Sequence, residues 1–234
     1  MKRAHTVPIL GKRESLFAIT LFMLPTLLAA ADDDGTTRIG IMLFDGVLTS
    51  DVVAPMEVFG KAIATHMVED YEVVTVAPRA GLIRTFEGIT LNADYSLDAA
   101  PALDVLIVGS GHDMSSMLEN EAFMGFIRER GAQADWLASN CSGAYILAEA
   151  GFLKGRHATT YPGGEVWLKL NHPSTNIEID ETVVVDGNVV TSNGSLVSYE
   201  AALKLLDLVA GKKVGDRIAG TLFYNRLLER GEPR

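Results

Sequence analysis

The 234-residue chain is 48% hydrophobic and 21% charged, which suits one globular domain with a sizeable buried core. It carries 30 acidic residues against 20 basic ones, and because an acidic surface repels phosphate backbones, nucleic-acid binding is not expected. The single cysteine, Cys141, excludes an internal disulfide, a Cys-rich zinc site and a CxxC redox pair.

Residues 1–31 have the pattern of a secretory signal peptide. Four basic residues precede an apolar stretch over residues 16–28, and three alanines follow it. An uncleaved anchor is the alternative, but the stretch is shorter than the ~20 residues of a spanning helix, and Pro25 interrupts it. We therefore expect cleavage before Asp32 and an exported chain, in the bacterial periplasm or secreted, without a membrane anchor. Removal of four bases and one acid leaves 16 basic and 29 acidic residues, a net charge of −13.

Residues 32–234 alternate between apolar runs and helical patterns. The runs "RIGIMLF", "YEVVTVA", "DVLIVGS" and, more weakly, "DWLAS" resemble parallel strands that are covered on both faces. The helical patterns among them are "DVVAPMEVFGKAIATH", "NEAFMGFIRERGAQ" and "SGAYILAEAGFLKG". This alternation predicts an α/β fold with a doubly wound, mostly parallel sheet and helices on both faces. No linker is long enough to split it into two domains.

Two hairpins and two terminal helices complete the predicted elements. The segment "RTFEGITLNADYSL" predicts a hairpin with Gly88 near its bend. The segment "ETVVVDGNVVTSNG" predicts another, with Asp186 and Gly187 as its tight turn. The chain then predicts one helix over "SLVSYEAALKLLDLVAG" and a second over "KVGDRIAGTLFYNRLLER".

Three short segments follow predicted strands: "FDGVLTSD", "GSGHD" and "SNCSGA". Ligands of open α/β sheets bind beyond the carboxyl ends of the strands, so we expect these segments to meet in one site. The "GSG" segment lacks the length of a phosphate loop and the rest of a dinucleotide fingerprint, and no metal-ligand spacing such as HExxH occurs. We therefore expect neither a cofactor nor a metal.

Cys141 lies at the predicted corner between a strand and a helix. A nucleophile on such an elbow is held out of the sheet, and a helix N-terminus beside it favours thiolate. Amides after the corner would receive an oxyanion. The alternative is an inert core thiol, since free cysteines are among the most buried residues.

Four segments resemble the ThiJ/PfpI (DJ-one) superfamily of class I glutamine-amidotransferase-like proteins. They are "GIMLFDGVLTSDVVAPMEVF", "DVLIVGSG", "SNCSGAYILAEAGFLKGRHATTYP" and "VVVDGNVVTSNG", and the resemblance covers roughly residues 38–226. The most similar branch contains isonitrile hydratase and the sensor domains of AraC-type regulators. The resemblance implies a flavodoxin-like fold, a small-molecule substrate or ligand, and a homodimer.

The resemblance also implies site residues. The family nucleophile falls on Cys141, the Ser/Thr after it on Ser142, and the acid that faces the thiol on Asp51, four positions before Pro55. We predict a low-pKa thiol assisted by Asp51. Because a nearby carboxylate raises a thiol pKa by like charge, Asp51 helps only if it stays protonated or relays a proton. Its alternative role is a helix cap.

The sequence departs from the family pattern at two positions. The oxyanion glycine falls on Gly111, but the usual Pro-Gly-Gly reads Gly109-Ser110-Gly111, so this loop is expected to differ. The family histidine becomes Tyr161, and a phenol with an ordinary pKa near ~10 is a poor general base. A Cys-His-acid triad therefore cannot be assembled from the usual positions.

Three other residues are weaker candidates. His112 follows Gly111 and could approach the thiol, although an exposed loop histidine is the alternative. His157 would share a strand face with Tyr161 but lie about 13 Å from it, too far to replace the family histidine. Glu57 either joins an acid cluster at the site or lies in a surface position.

These residues leave three functions open. The first is a cysteine-dependent hydratase or hydrolase that acts on a small electrophile such as an isonitrile, aldehyde or amide. The second is a non-catalytic ligand-binding domain that kept the pocket and lost the chemistry, which Tyr161 favours. The third is a redox or stress protein whose cysteine is oxidised in place.

Overall fold

The computed structural model describes residues 34–229 together with Met1. The predicted signal peptide otherwise lies outside the described residues and stays a prediction. Residues 34–229 belong to one compact unit. None of the helices within the described part of the chain has the length and apolar character needed to span a membrane.

The central sheet has the predicted parallel arrangement. Among residues 34–229 the strands are β1 (Thr37–Met42), β2 (Tyr71–Ala77), β3 (Gly81–Arg84), β4 (Thr90–Ala93), β5 (Tyr95–Ser96), β6 (Val105–Val108), β7 (Trp136–Asn140), β8 (His157–Ala158), β9 (Asn176–Ile177), β10 (Val183–Asp186) and β11 (Val189–Ser192). The order across the sheet is β10-β11-β7-β6-β1-β2-β5, and every neighbouring pair is parallel except β10–β11. Every residue of β6 is buried, as its continuous apolar run predicts.

Two groups of helices pack with this sheet. The helices of the described residues are α1 (Thr49–Ala64), α2 (Ser115–Leu118), α3 (Glu121–Gln133), α4 (Gly143–Glu149), α5 (Glu165–Asn171), α6 (Val197–Ala210), α7 (Lys212–Thr221) and α8 (Tyr224–Glu229). Helix α6 contacts α1 and α7, while α4 contacts α2, α3 and strands β6 and β7. The predicted doubly wound α/β fold is confirmed.

Local details differ from the sequence predictions. The hairpin around Gly88 forms between β3 and β4. The turn between β10 and β11 consists of Gly187 and Asn188, one residue later than predicted, because Asp186 still pairs with Val189. The last predicted helix is split into α7 and α8 near Phe223, whose φ of 58° is incompatible with a continuous helix.

Candidate active site

The three loops at the carboxyl ends of β1, β6 and β7 meet, as predicted. The N–H of Leu48 donates to the carbonyl of Ser110 at 2.8 Å, and Val47 and Gly111 form an antiparallel bridge. The side chain of Asn140, at the end of β7, donates to the carbonyl of Asp51 at 3.3 Å. The loop residues are therefore fixed relative to one another by hydrogen bonds.

Cys141 occupies a strained elbow. It lies between the end of β7 at Asn140 and the start of α4 at Gly143, with a φ of 52° that costs a non-glycine residue about 1–3 kcal/mol. The elbow is held on both sides, because the N–H of Cys141 donates to the carbonyl of Ser192 at 2.9 Å. Its carbonyl accepts from the hydroxyl of Thr160 at 2.8 Å. The predicted nucleophile elbow is therefore present.

Two glycines allow the close packing around this elbow. A Cβ at Gly143 would lie 2.4 Å from the carbonyl oxygen of Val108. A Cβ at Gly194, whose φ is 78°, would lie 2.4 Å from the Cβ of Cys141. The first glycine, two residues after the cysteine, was recognisable from the sequence, but the second comes from a distant segment and had no local signal.

Asp51 is a fully buried hydrogen-bond acceptor rather than a helix cap. Its Oδ2 accepts from the N–H of Ser110 at 3.1 Å and the hydroxyl of the same residue at 2.5 Å. Its Oδ1 accepts from the N–H of Ser195 at 3.0 Å and the hydroxyl of Ser198 at 2.7 Å. The N-cap position of α1 is Leu48. Asp51 thus joins α1 to the loop after β6 and to the start of α6.

Ser110 ties Asp51 to the loop after β6. The Ser110 hydroxyl, which is fully buried, donates to Oδ2 of Asp51. Among the hydrogen bonds of residues 34–229, none joins Asp51 directly to the sulfur. The sequence marked Ser110 only as a departure from the family glycine, and its contact with Asp51 was not predicted.

The thiol pKa is shifted opposite to the prediction. Burial is the largest cause and raises the pKa of Cys141 above that of an ordinary thiol, and the charge of Asp51 raises it further. The neighbouring polar groups of Ser110 and Ser142 partly oppose that rise in pKa. The predicted low-pKa thiol is therefore wrong for this site without substrate. Desolvation outweighs the donors, and α4 has only seven residues.

The predicted oxyanion loop has an unusual internal contact. The N–H of Gly111 donates to the thioether sulfur of Met114 at 3.1 Å, and the hydroxyl of Ser142 donates to the carbonyl of Gly111 at 3.1 Å. A thioether is a weak acceptor, so a developing oxyanion would compete well for this N–H. Gly111 and Ser142 both line the cavity that contains Cys141, and their part in an oxyanion hole stays a prediction.

The thiol lies in the wall of a cavity of about 420 Å³. Tyr161 belongs to that wall, as predicted, but it sits in the loop after β8 rather than in a strand. Its ring centre is 6.1 Å from that of Tyr145, which in turn lies 4.1 Å from Trp167. The residues that line the cavity are Leu48, Gly111, His112, Asp113, Met114, Ser115, Leu118, Cys141, Ser142, Tyr145, Tyr161 and Trp167.

The weaker candidates are placed differently. His112 lines the cavity, but it is exposed and its ring stacks on Phe86 at 3.9 Å. His157 is exposed in β8 and contacts the carboxylate of Glu178. Glu57 is not among the residues that line this cavity, and of its two predicted placements the structure shows the surface position.

Glu57 lies on another face of α1 from Asp51. Six residues along a helix rotate a side chain by about 240°, so the two acids point in different directions. Glu57 is exposed and accepts from the hydroxyl of Tyr199 at 2.7 Å, which raises the pKa of that tyrosine to about 12. No group of three His, Cys, Asp or Glu side chains within the described residues is arranged to hold a metal.

Comparison with known proteins identifies the family of the chain. The model of the DJ-1/PfpI family matches residues 37–208. The chain belongs to the DJ-1/PfpI family. It is 30% identical over 189 residues to an isonitrile hydratase from Pseudomonas putida, covering 80% of this chain and 78% of that protein. It is also 31% identical over 127 residues to a deglycase from Pyrococcus abyssi, covering 53% of this chain and 74% of the deglycase.

The fold is likewise shared with solved structures. The crystal structure of Drosophila melanogaster DJ-1beta superimposes with a TM-score of 0.70 at 23% identity, covering 80% of this chain and 98% of that one. At 23% identity, this similarity shows that the two proteins share a fold, but it says nothing about the activity of this chain.

Proposed function

We propose that this DJ-1/PfpI family member is a cysteine-dependent hydratase or hydrolase that acts on a small, uncharged electrophile, with an isonitrile as the favoured substrate. The observation that carries the proposal is the strained elbow, which places the only thiol of the chain in the wall of a substrate-sized cavity. The similarity to isonitrile hydratase supports the choice of substrate.

Hydration of an isonitrile follows from thiol addition. The sulfur of Cys141 bonds to the terminal carbon of the isonitrile, and that carbon takes up the proton of the thiol, which gives a thioimidate. Water then adds to the same carbon, the nitrogen gains a proton, and the C–S bond breaks to release an N-substituted formamide and the thiol. Covalent catalysis of this kind divides one difficult step into two easier ones.

The cavity favours an uncharged substrate with an apolar substituent. Leu48, Met114 and Leu118 supply aliphatic and thioether surface, and the closely packed rings of Tyr145 and Trp167 supply aromatic surface. No Lys or Arg is among the described residues that line this space, and Asp113 is the acid among them. An anionic substrate would meet no compensating charge there.

The test is turnover of an alkyl isocyanide, measured as formamide production by NMR. We expect the native chain to form the formamide and Cys141→Ala to form none, with its fold verified by circular dichroism. Glyoxal is the comparison substrate, because the deglycase relatives make aldehyde chemistry the nearest catalytic alternative. Equal formamide production by Cys141→Ala would overturn covalent catalysis by the thiol.

A non-catalytic binding or redox-sensing domain is the second candidate. It is favoured by the raised thiol pKa, since little thiolate forms at neutral pH, and by Tyr161 at the position of the family histidine. The two candidates separate in one titration. A binding domain would take up the isocyanide in calorimetry without producing formamide.

Export and a homodimer belong to the same proposal. The signal-like residues 1–31 support export to the periplasm or medium, and the family resemblance supports a dimer. Intact-mass measurement on protein from the native envelope is expected to give a chain that starts at Asp32. Light scattering on the same material measures its oligomeric state, and a monomeric mass would refute the dimer.

A further inference from the structure

Three aromatic side chains form a contiguous part of the cavity that contains the thiol. Tyr145 comes from α4, Trp167 from α5 and Tyr161 from the loop after β8, and all three line the same space as Cys141. The ring centres of Tyr145 and Trp167 are 4.1 Å apart at an interplanar angle of 30°, and those of Tyr145 and Tyr161 are 6.1 Å apart. These three rings are called the aromatic wall below.

The aromatic wall is held in place by contacts at Gly164. The hydroxyl of Tyr145, which is a buried residue, donates to the carbonyl of Gly164 at 3.2 Å, and the N–H of Gly164 donates to the carbonyl of Tyr161 at 2.8 Å. A Cβ at Gly164 would lie 2.5 Å from the Tyr145 hydroxyl and from a ring carbon of Tyr161. The ring of His172 lies 5.7 Å from that of Trp167. The rings are thus arranged before a ligand binds, which lowers the entropic cost of binding.

The aromatic wall suits a planar apolar group. The hydroxyl proton of Tyr145 is already donated to Gly164, and no Lys or Arg is among the described residues that line the cavity. An aromatic ring attracts another ring in offset or edge-to-face contact by more than the buried area alone provides, which a saturated ring does not. Tyr145 and Trp167 pack too closely to admit a ligand between them, so they offer one surface rather than a cage around a cation.

We propose that the aromatic wall is a subsite for an aryl substituent of the substrate, and that Trp167 determines the preference for an aryl over a saturated substituent. This subsite rests on the proposed function, because it describes the substituent of the isonitrile that Cys141 attacks. The cavity of about 420 Å³ is large enough to hold the reacting carbon and a ring together. Trp167 can be replaced without breaking the hydrogen bonds at Gly164, since its ring takes no part in them.

The test compares the binding of benzyl isocyanide and cyclohexylmethyl isocyanide by calorimetry to Cys141→Ala, which cannot form the thioimidate. The two probes have equal numbers of carbon atoms, and a methylene separates the ring from the isonitrile group in both. Because cyclohexyl is the more hydrophobic group, the measured quantity is the ratio of the two dissociation constants, compared between chains. Adding Trp167→Leu is expected to reduce the preference for the benzyl probe by about 2–12-fold, which corresponds to the about 0.5–1.5 kcal/mol of an aromatic pair.

Three further variants, made in the same Cys141→Ala chain, separate aromatic contact from cavity size. Trp167→Phe keeps a ring and is expected to keep most of the preference. Leu118→Ala is the matched control, because Leu118 lines the same cavity with an aliphatic side chain; we expect it to weaken both probes and to leave their ratio unchanged. Trp136→Phe leaves Trp167 as the only tryptophan, and benzyl isocyanide is expected to change its fluorescence.

Each outcome decides the proposal. A ratio that changes by less than about twofold in Trp167→Leu overturns the subsite. An equal change in Trp167→Phe or in Leu118→Ala also overturns it, because the effect would then come from cavity size. Unchanged Trp167 fluorescence at saturating benzyl isocyanide, or no binding of either probe, has the same consequence. Binding needs no turnover, so if the preference is found but the native chain makes no formamide, the proposed function fails and the subsite stands.

Discussion

Replacement of Asp51 by Asn measures how strongly one buried carboxylate holds the site together. Each carboxylate oxygen accepts one backbone N–H and one short hydroxyl hydrogen bond, and Oδ1 has a further, longer contact of 3.4 Å from the hydroxyl of Ser50. The hydroxyls of Ser110 and Ser198 can rotate to accept from an amide, whereas a backbone N–H can only donate. Whichever way the Asn side chain is oriented, the NH₂ group therefore faces the N–H of either Ser110 or Ser195.

The cost follows from the two N–H contacts and the two short hydroxyl contacts. One buried N–H without an acceptor costs about 1–3 kcal/mol. A hydrogen bond to a charged acceptor contributes about 1.5–3 kcal/mol against about 1 kcal/mol for a neutral one, so the weakened contacts add about 1–2 kcal/mol. We expect Asp51→Asn to lower the free energy of unfolding by about 2–5 kcal/mol, a large part of the 5–15 kcal/mol typical of a domain.

Urea unfolding, followed by far-UV circular dichroism, measures this loss. Glu57→Gln is the matched control, because Glu57 lies on the same helix but is exposed and accepts from one hydroxyl. We expect it to cost less than about 1 kcal/mol. An Asp51→Asn chain within about 0.5 kcal/mol of the Glu57→Gln chain would refute the view that Asp51 anchors the loops.

Three further predictions concern the elbow and its thiol. Gly194→Ala is expected to lower the free energy of unfolding in urea by at least about 2 kcal/mol, because its φ is 78° and the new Cβ would meet Cys141. Gly60→Ala, which adds a Cβ to open space on α1, is expected not to lower it. Because the pKa of Cys141 is raised in the folded chain, the unfolded thiol loses its proton at a lower pH, and the free energy of unfolding is expected to fall as pH rises past about 8.5. An equal fall in the free energy of unfolding of Cys141→Ala would contradict this. Tyr161→His is expected to raise thiol labelling at pH 7 by placing an imidazole in the cavity, whereas Tyr161→Phe is not.

The parallel sheet was predictable because a strand that is buried on both faces is apolar at every position, which can be recognised in the sequence. The run over Val105–Val108 is apolar throughout, and all of it is buried. The strands β5, β8 and β9 have two residues each, too few to show a period, so their bounds could not be predicted. The elbow at Cys141 was predictable for a similar reason, since an apolar run changes there into a helical pattern.

The contacts within the site were not predictable from local pattern. Asp51 meets Ser195 and Ser198, which lie more than 140 residues away along the chain, and a serine at either position is unremarkable by itself. The sign of the thiol pKa shift also depends on how far the folded chain buries Cys141. A corner motif predicts where the sulfur lies, but the balance between desolvation and donors is a property of the packed site.

One carboxylate therefore has two roles that reinforce each other. Asp51 fixes the loops by accepting hydrogen bonds on both carboxylate oxygens, and its charge adds to the larger effect of burial in raising the pKa of the neighbouring thiol. A protonated thiol is also the form that oxidants attack slowly, since oxidation follows thiolate character. If the chain is exported as we propose, its lone cysteine works in an oxidising compartment, where a permanently ionised thiol would be vulnerable. A thiol that stays protonated at rest is protected from oxidation, and its place in the cavity wall still makes it available to an electrophile.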